Sequence, residues 1–200
     1  MSFKLTKVAL IGGLLALAGL LVVCSNQAQS EDSGESAMSP VERGRHLVQT
    51  GDCGICHTPK IFTEMGPVED SSKLFMGHPA DLPVAEIPMD ALGPDKWGAV
   101  ANPHFTAWGG PWGISFASNL TPDNLTGSGA WTEEAFIQAM RNGKHLGQGR
   151  QILPPMPWQA ISHQTDEDLR AMFAFFKSIP AIKNQVPQPI PPPGAPAGQP

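Results

Sequence analysis

Hydrophobic and polar positions divide the chain into zones with different periodicities. After Lys4 and Lys7, Val8 to Val23 is almost entirely apolar, and Ser25 to Ser39 then carries Ser, Gln, Glu and Ala without any apolar period. A helix is predicted from Pro40, with Ser39 as N-cap and Val41, Leu47 and Val48 as its apolar positions. A second is predicted from the Thr132 cap, with Glu133 and Glu134 in the first turn, Phe136, Ile137 and Met140 on one side, and Asn142-Gly143 as the stop. The third and clearest follows Thr165: Asp166 to Asp168 fill the first turn, Leu169, Met172, Phe173 and Phe176 fall at helical spacing, and Pro180 ends the run. Gly44 on the first helix would permit a close crossing with this apolar and aromatic stripe. Between the helices, Pro59 to Gly129 shows no long period and is broken by Pro, Gly, Asn and Trp, which predicts an extended loop region with at most short turns or strands. A loop of that length implies that it wraps something.

These zones imply four regions: an export or lipoprotein signal or anchor over 1–24, a flexible linker over 25–39, a folded domain over 40–186, and a Pro-rich disordered tail over 187–200. The apolar leader is slightly short for a membrane span and carries Gly12, Gly13 and Gly19. Cys24 just after it resembles a lipoprotein processing site, although Val23 stands where a small residue is usual; cleavage after Ala28-Gln29-Ser30 and an uncleaved anchor remain open beside it. All three place the domain outside the cytoplasm, periplasmic or membrane-tethered. Without Lys4 and Lys7 the chain has eleven basic and eighteen acidic residues, net −7, which repels phosphate backbones and argues against nucleic acid. The same charge suits either plain solubility or a partner with a basic patch.

The chemistry is concentrated in Cys53-Gly54-Ile55-Cys56-His57, the Cys-x-x-Cys-His signature of covalent haem attachment. Two thiols at this spacing can form thioethers to one porphyrin, and the adjoining imidazole can reach its iron. A redox dithiol would want a strand-to-helix context and a zinc site two further ordered ligands, and neither pattern surrounds these residues. Only one such motif occurs, so one haem c is expected.

For the opposite axial position the chain offers Met156 in Leu153-Pro154-Pro155-Met156-Pro157-Trp158, where flanking prolines restrict the backbone. Met140 and Met172 sit at helix core positions, Met65, Met76 and Met89 lie in the long loop, and His46, His78, His104, His145 and His163 are lone histidines that more often serve as polar residues than as ligands.

Taken with Arg43-Gly44-Arg45-His46-Leu47-Val48, Gly77-His78-Pro79-Ala80, Trp112 to Asp123, Gly129 to Glu134 and Arg141-Asn142-Gly143-Lys144-His145, these motifs resemble the class I cytochrome c family. The likeness is to single-haem bacterial domains related to the cytochrome subunits of membrane-bound alcohol and gluconate dehydrogenases. The resemblance implies an all-α class I cytochrome c fold, a few helices wrapped around one covalent haem with a long irregular loop insertion. It implies thioethers at Cys53 and Cys56, His57 and Met156 as axial ligands, and a Gly66-Pro67 turn whose carbonyl orients the His57 imidazole. Asn119 and Trp158 look like haem-pocket residues, or else a turn residue and a core aromatic.

The implied function is electron transfer between redox partner proteins, not catalysis. A haem subunit fixed in a larger dehydrogenase or oxidase, and an open-site haem enzyme or gas binder, are the alternatives. His57 and Met156 are 99 positions apart, more than in the smallest relatives, with the excess over Met65 to Phe116. Within it Trp97, Phe105, Trp108 and Trp112 either pack against the porphyrin or present a partner surface.

Overall fold

The chain begins its ordered path with a reciprocal cap. In this computed structural model, which describes residues 38–84 and 86–194, the Ser39 hydroxyl accepts from the Glu42 amide at 3.3 Å while the Glu42 carboxylate accepts from the Ser39 amide at 2.9 Å. The leader, Cys24 and the linker up to residue 37 lie outside the described residues. Helix α1 then spans Pro40–Thr50, and a one-turn helix α2 spans Gly54–His57. Helix α3 covers Glu133–Asn142, capped by the Thr132 hydroxyl at 3.1 Å from the Ala135 amide and closed by Gly143 at φ 63°. Helix α4 is Trp158–Ile161, and α5 is Asp166–Ser178 with Thr165 accepting from the Asp168 amide at 3.1 Å.

Packing follows the apolar stripes. Leu169, Met172, Phe173 and Phe176 of α5 form one cluster with Phe136, Ile137 and Met140 of α3 and Val48 of α1. Phe75 enters it from the intervening segment, edge-on to Phe175 at 5.9 Å and to Phe176 at 5.6 Å. At the α1–α5 crossing, Gly44 lies directly on the Ala171 carbonyl and the Phe175 Cβ, so any side chain there would overlap backbone. Beside it the Arg43 guanidinium holds Asp168 at 2.7 and 2.8 Å and Glu167 at 2.9 Å. The Thr165 hydroxyl, then Arg43, keeps the Asp168 carboxyl below the usual carboxylate range.

The expectation of an all-α fold is overturned by two antiparallel sheets. Strands β1 (Lys60–Thr63) and β2 (Gly66–Glu69) form a hairpin, and β3 (Val100–Ala101), β4 (Ala107–Gly110) and β5 (Gly113–Phe116) form a three-stranded sheet in that order. The pattern hid them for a physical reason. In the hairpin only Lys60 is buried, so no alternation of apolar and polar residues exists. In β4 and β5 the buried positions are Ala107, Gly109, Gly110, Gly113, Ser115 and Phe116, mostly small residues that read as turn formers.

The segment after α5 returns across this sheet as an extended strap. Ile190, within the stretch expected as a tail from Pro187, exchanges backbone hydrogen bonds with Ile114 at 2.7 and 2.9 Å. The buried Asn184 side chain donates to the Met76 and His78 carbonyls at 2.7 and 2.8 Å and accepts from the Ala80 amide at 2.9 Å.

Two outcomes are expected. Gly44→Ala should lower unfolding free energy by about 1–3 kcal/mol through overpacking at the helix crossing, read as a fall in thermal midpoint. Asn184→Ala, which strands two buried carbonyls and an amide, should cost about 1–3 kcal/mol in the same assay.

Candidate functional site

The pentad is held by its own local backbone. Helix α1 ends at Gly51, Asp52 turns the chain at φ 52°, and the Cys53 amide bonds back to the Val48 carbonyl at 3.2 Å. The following turn, α2, puts Cys53, Cys56 and His57 on one compact unit, with the His57 amide on the Cys53 carbonyl at 3.0 Å. Both cysteines are free thiols and half-buried. Burial pushes Cys53 up to about 11 and raises Cys56 as well, so both are neutral at pH 7. The Trp108 indole lies beside Cys56.

His57 is buried, and its Nδ1 is 2.8 Å from the Ser118 carbonyl. A carbonyl only accepts, so Nδ1 carries the proton and Nε2 keeps the lone pair. Burial lowers the imidazole's pKa, with the Ser118 bond opposing it, so the ring is neutral and one nitrogen is free to ligate a metal. The surrounding backbone is stitched to the same place: the Gly77 amide bonds the His57 carbonyl at 2.9 Å, and the His78 amide the Ala117 carbonyl at 2.9 Å.

Pro67 does not take the role expected of it. It sits in β2 opposite Phe62, because the hairpin closes on itself and returns the chain to Pro59, whose carbonyl accepts from the Asp70 amide at 2.9 Å. The orienting carbonyl is that of Ser118, 61 positions from His57. A main-chain acceptor leaves no mark in residue type, so nothing in the sequence could single out Ser118. Its neighbour Asn119 faces away from the imidazole, donating to the Ile182 carbonyl at 2.8 Å and accepting from Thr121.

Met156 and Trp158 lie together at the start of α4. They line a cavity of about 340 Å³ with Gln151, Ile152, Gln159 and the three prolines, and Cys53, Cys56 and His57 are not in its lining. Met156 is half-buried against the main core cluster, and the Trp158 ring rests on Gly143. The Ser115 hydroxyl of β5 donates to the Pro154 carbonyl, two residues before Met156, at 2.5 Å. Strand β5 therefore holds the methionine loop, and the chain leaving it, at Ser118, holds the histidine.

Other possible ligands have different surroundings. Met140 and Met172 are core, Met65 is 96% exposed, and His78 is fully buried with its Nδ1 on the Thr106 hydroxyl at 2.9 Å. His104 accepts from the Lys60 amide, His145 stands edge-on to Trp131, and His46 and His163 are exposed. Among the loop aromatics Trp97 is 70% exposed, whereas Trp112 donates to Ser115 at 3.3 Å. One residue that sequence reasoning missed is Lys60, a buried lysine whose Nζ donates to the Gly54 and Thr58 carbonyls. No pattern signals it, since a single lysine after a motif reads as surface.

Two unpaired thiols in one turn with an imidazole whose Nε2 keeps its lone pair, plus a thioether on a constrained loop, are a donor set suited to haem. No family model matches the chain. The gluconate 2-dehydrogenase cytochrome c subunit of Pantoea cypripedii is 28% identical over 160 residues, covering 80% of this chain and 27% of its own length. The quinone-dependent alcohol dehydrogenase cytochrome c subunit of Gluconobacter oxydans is 27% identical over 180 residues, 87% of this chain and 28% of its own length. The fructose dehydrogenase cytochrome subunit of Gluconobacter japonicus is 28% identical over 185 residues, 88% of this chain and 30% of its own length. The chain thus spans less than a third of each of these relatives. Over most of its own length it is similar to the cytochrome c subunits of gluconate, alcohol and fructose dehydrogenases, and the c-type cytochromes are the family it resembles.

Proposed function

We propose that the chain is an electron carrier with one c-type haem, tethered at Cys53 and Cys56 and ligated by His57 and Met156. The observation that carries this reading is the buried His57, whose Nδ1 proton is committed to the Ser118 carbonyl, in the same turn as two free thiols. When bound, the haem supplies one-electron exchange between ferrous and ferric iron. The residues supply the rest. Cys53 and Cys56 fix the group in place so that its edge can approach a partner without being lost. Ser118 holds the imidazole in one tautomer and makes Nε2 a better donor. The Met156 thioether, restrained by its prolines and by the Ser115 bond to Pro154, favours the reduced iron.

The similarity to dehydrogenase cytochrome subunits favours a carrier that works with redox partner proteins, as a separate protein or as part of a larger dehydrogenase. The apolar leader supports a location outside the cytoplasm, with Cys24 or the apolar segment as a tether. Among the described residues no helix is long and apolar enough to cross a membrane.

Protein expressed with haem-attachment machinery should show the absorbance of a c-type haem, and its absence would refute the proposal. Met156→Ala should lose the weak long-wavelength band of sulfur-to-iron ligation and bind carbon monoxide faster in the reduced state. An unchanged spectrum would remove Met156 as ligand, and tight, fast carbon monoxide binding by the unaltered protein would favour an open-site haem protein.

A further inference from the structure

We propose that Lys60 is a fixed cation that raises the midpoint potential of the haem held at Cys53 to His57, an inference that rests on the electron-carrier reading above. A lysine opening a two-stranded hairpin would ordinarily reach water. Here it is 8% exposed, the one buried residue of β1, while Ile61, Phe62 and Thr63 beside it are exposed. Its Nζ instead turns inward to the pentad, donating to the Thr58 carbonyl at 2.5 Å and the Gly54 carbonyl at 3.2 Å. These acceptors bracket α2, the turn that carries Cys56 and His57. The position is held from outside as well, since the Lys60 amide donates to His104 at 3.1 Å and the residue faces Glu69 across the hairpin.

Both partners of the ammonium are uncharged, and among the described residues no carboxylate lies within ion-pair distance of it. A neutral donor would satisfy the same two carbonyls with less desolvation, so the charge itself is not what the hydrogen bonds require. Burial lowers the lysine's pKa, and the carboxylates of Glu69, first, and Asp52 act against that, so nearby acidic groups help retain the proton. Glu69 is the counterweight: it is exposed at its strand end, yet its carboxylate rests on the Gly54 backbone so closely that a side chain there would overlap it.

A positive charge fixed beside the attachment turn acts on whatever charge changes there. Oxidation of the iron adds one positive charge, and the repulsion from Lys60 grows with it. In a low-dielectric interior this repulsion is weakly screened, so the ferrous state is favoured. Glu69 acts with the opposite sign but closer to solvent, where screening is stronger.

The test is a spectroelectrochemical titration of haem-loaded protein at neutral pH. Lys60→Gln and Lys60→Met should keep the c-type bands and lower the midpoint, so that at a fixed applied potential the ferrous-to-ferric ratio falls roughly three- to tenfold. Lys60→Arg should keep the wild-type midpoint, and Glu69→Gln should raise it. An unchanged midpoint in the Gln and Met variants overturns the proposal, as does an Arg variant that falls as far as Met, because geometry rather than charge would then be at work. Wild-type protein without c-type bands would sink the electron-carrier reading instead, so the two failures are distinguishable.

Discussion

The hydrogen bond from His57 Nδ1 to the Ser118 carbonyl is the constraint around which the rest of the structure is arranged. It selects one tautomer, and in a buried ring that choice decides whether a lone pair is available at Nε2. An imidazole left without this acceptor would carry an unsatisfied buried donor, worth about 1–3 kcal/mol. To deliver a carbonyl 61 positions away, the chain must travel through both sheets and come back. The turn at Gly77, whose amide holds the His57 carbonyl, and the His78 amide on Ala117 keep that return in register.

The three-stranded sheet, which the resemblance to an all-α family did not anticipate, therefore has a positional role. Ser115 and Ser118 are three residues apart, and they reach the two segments proposed to face opposite sides of one haem. Ile114, beside Ser115, is paired with Ile190, and Asn184 further back binds Met76, His78 and Ala80, so the C-terminal strap braces the sheet from behind. Behind this, the α1–α5 crossing at Gly44 and the aromatic cluster of Phe75, Phe136, Phe173 and Phe176 provide the apolar burial on which such a loop-rich region can rest.

Charge is distributed with a similar contrast. Acidic residues outnumber basic ones on the chain as a whole, and most are solvated. The ion pairs of Arg43, Arg141 and Arg170 join helix ends at partly exposed positions, where screening keeps each contribution small. Lys60 differs because it is buried and bonded to carbonyls of the attachment turn, so its field is felt inside the molecule.

Local chemistry made part of this legible from residues alone. Ser39, Thr132 and Thr165 cap helices because their hydroxyls reach amides three residues on, and the α5 stripe buries because its spacing matches the helical period. The Cys53 to His57 pentad is likewise a local fact, two thiols and an imidazole within a single turn. What the sequence could not show was where main-chain groups would meet. The carbonyl assigned to Pro67 belongs to Ser118, β4 and β5 bury glycine, alanine and serine where a strand pattern wants apolar residues, and Lys60 looks like any surface lysine. Short-range periodicity and capping are written in side-chain type and spacing, so the chain by itself determined its three long helices and its attachment motif, while the one-turn helices α2 and α4 carry no such pattern. The tautomer of His57, the sheets and the buried cation depend on backbone groups brought together across tens of residues, and only the tertiary structure decides which of those meet.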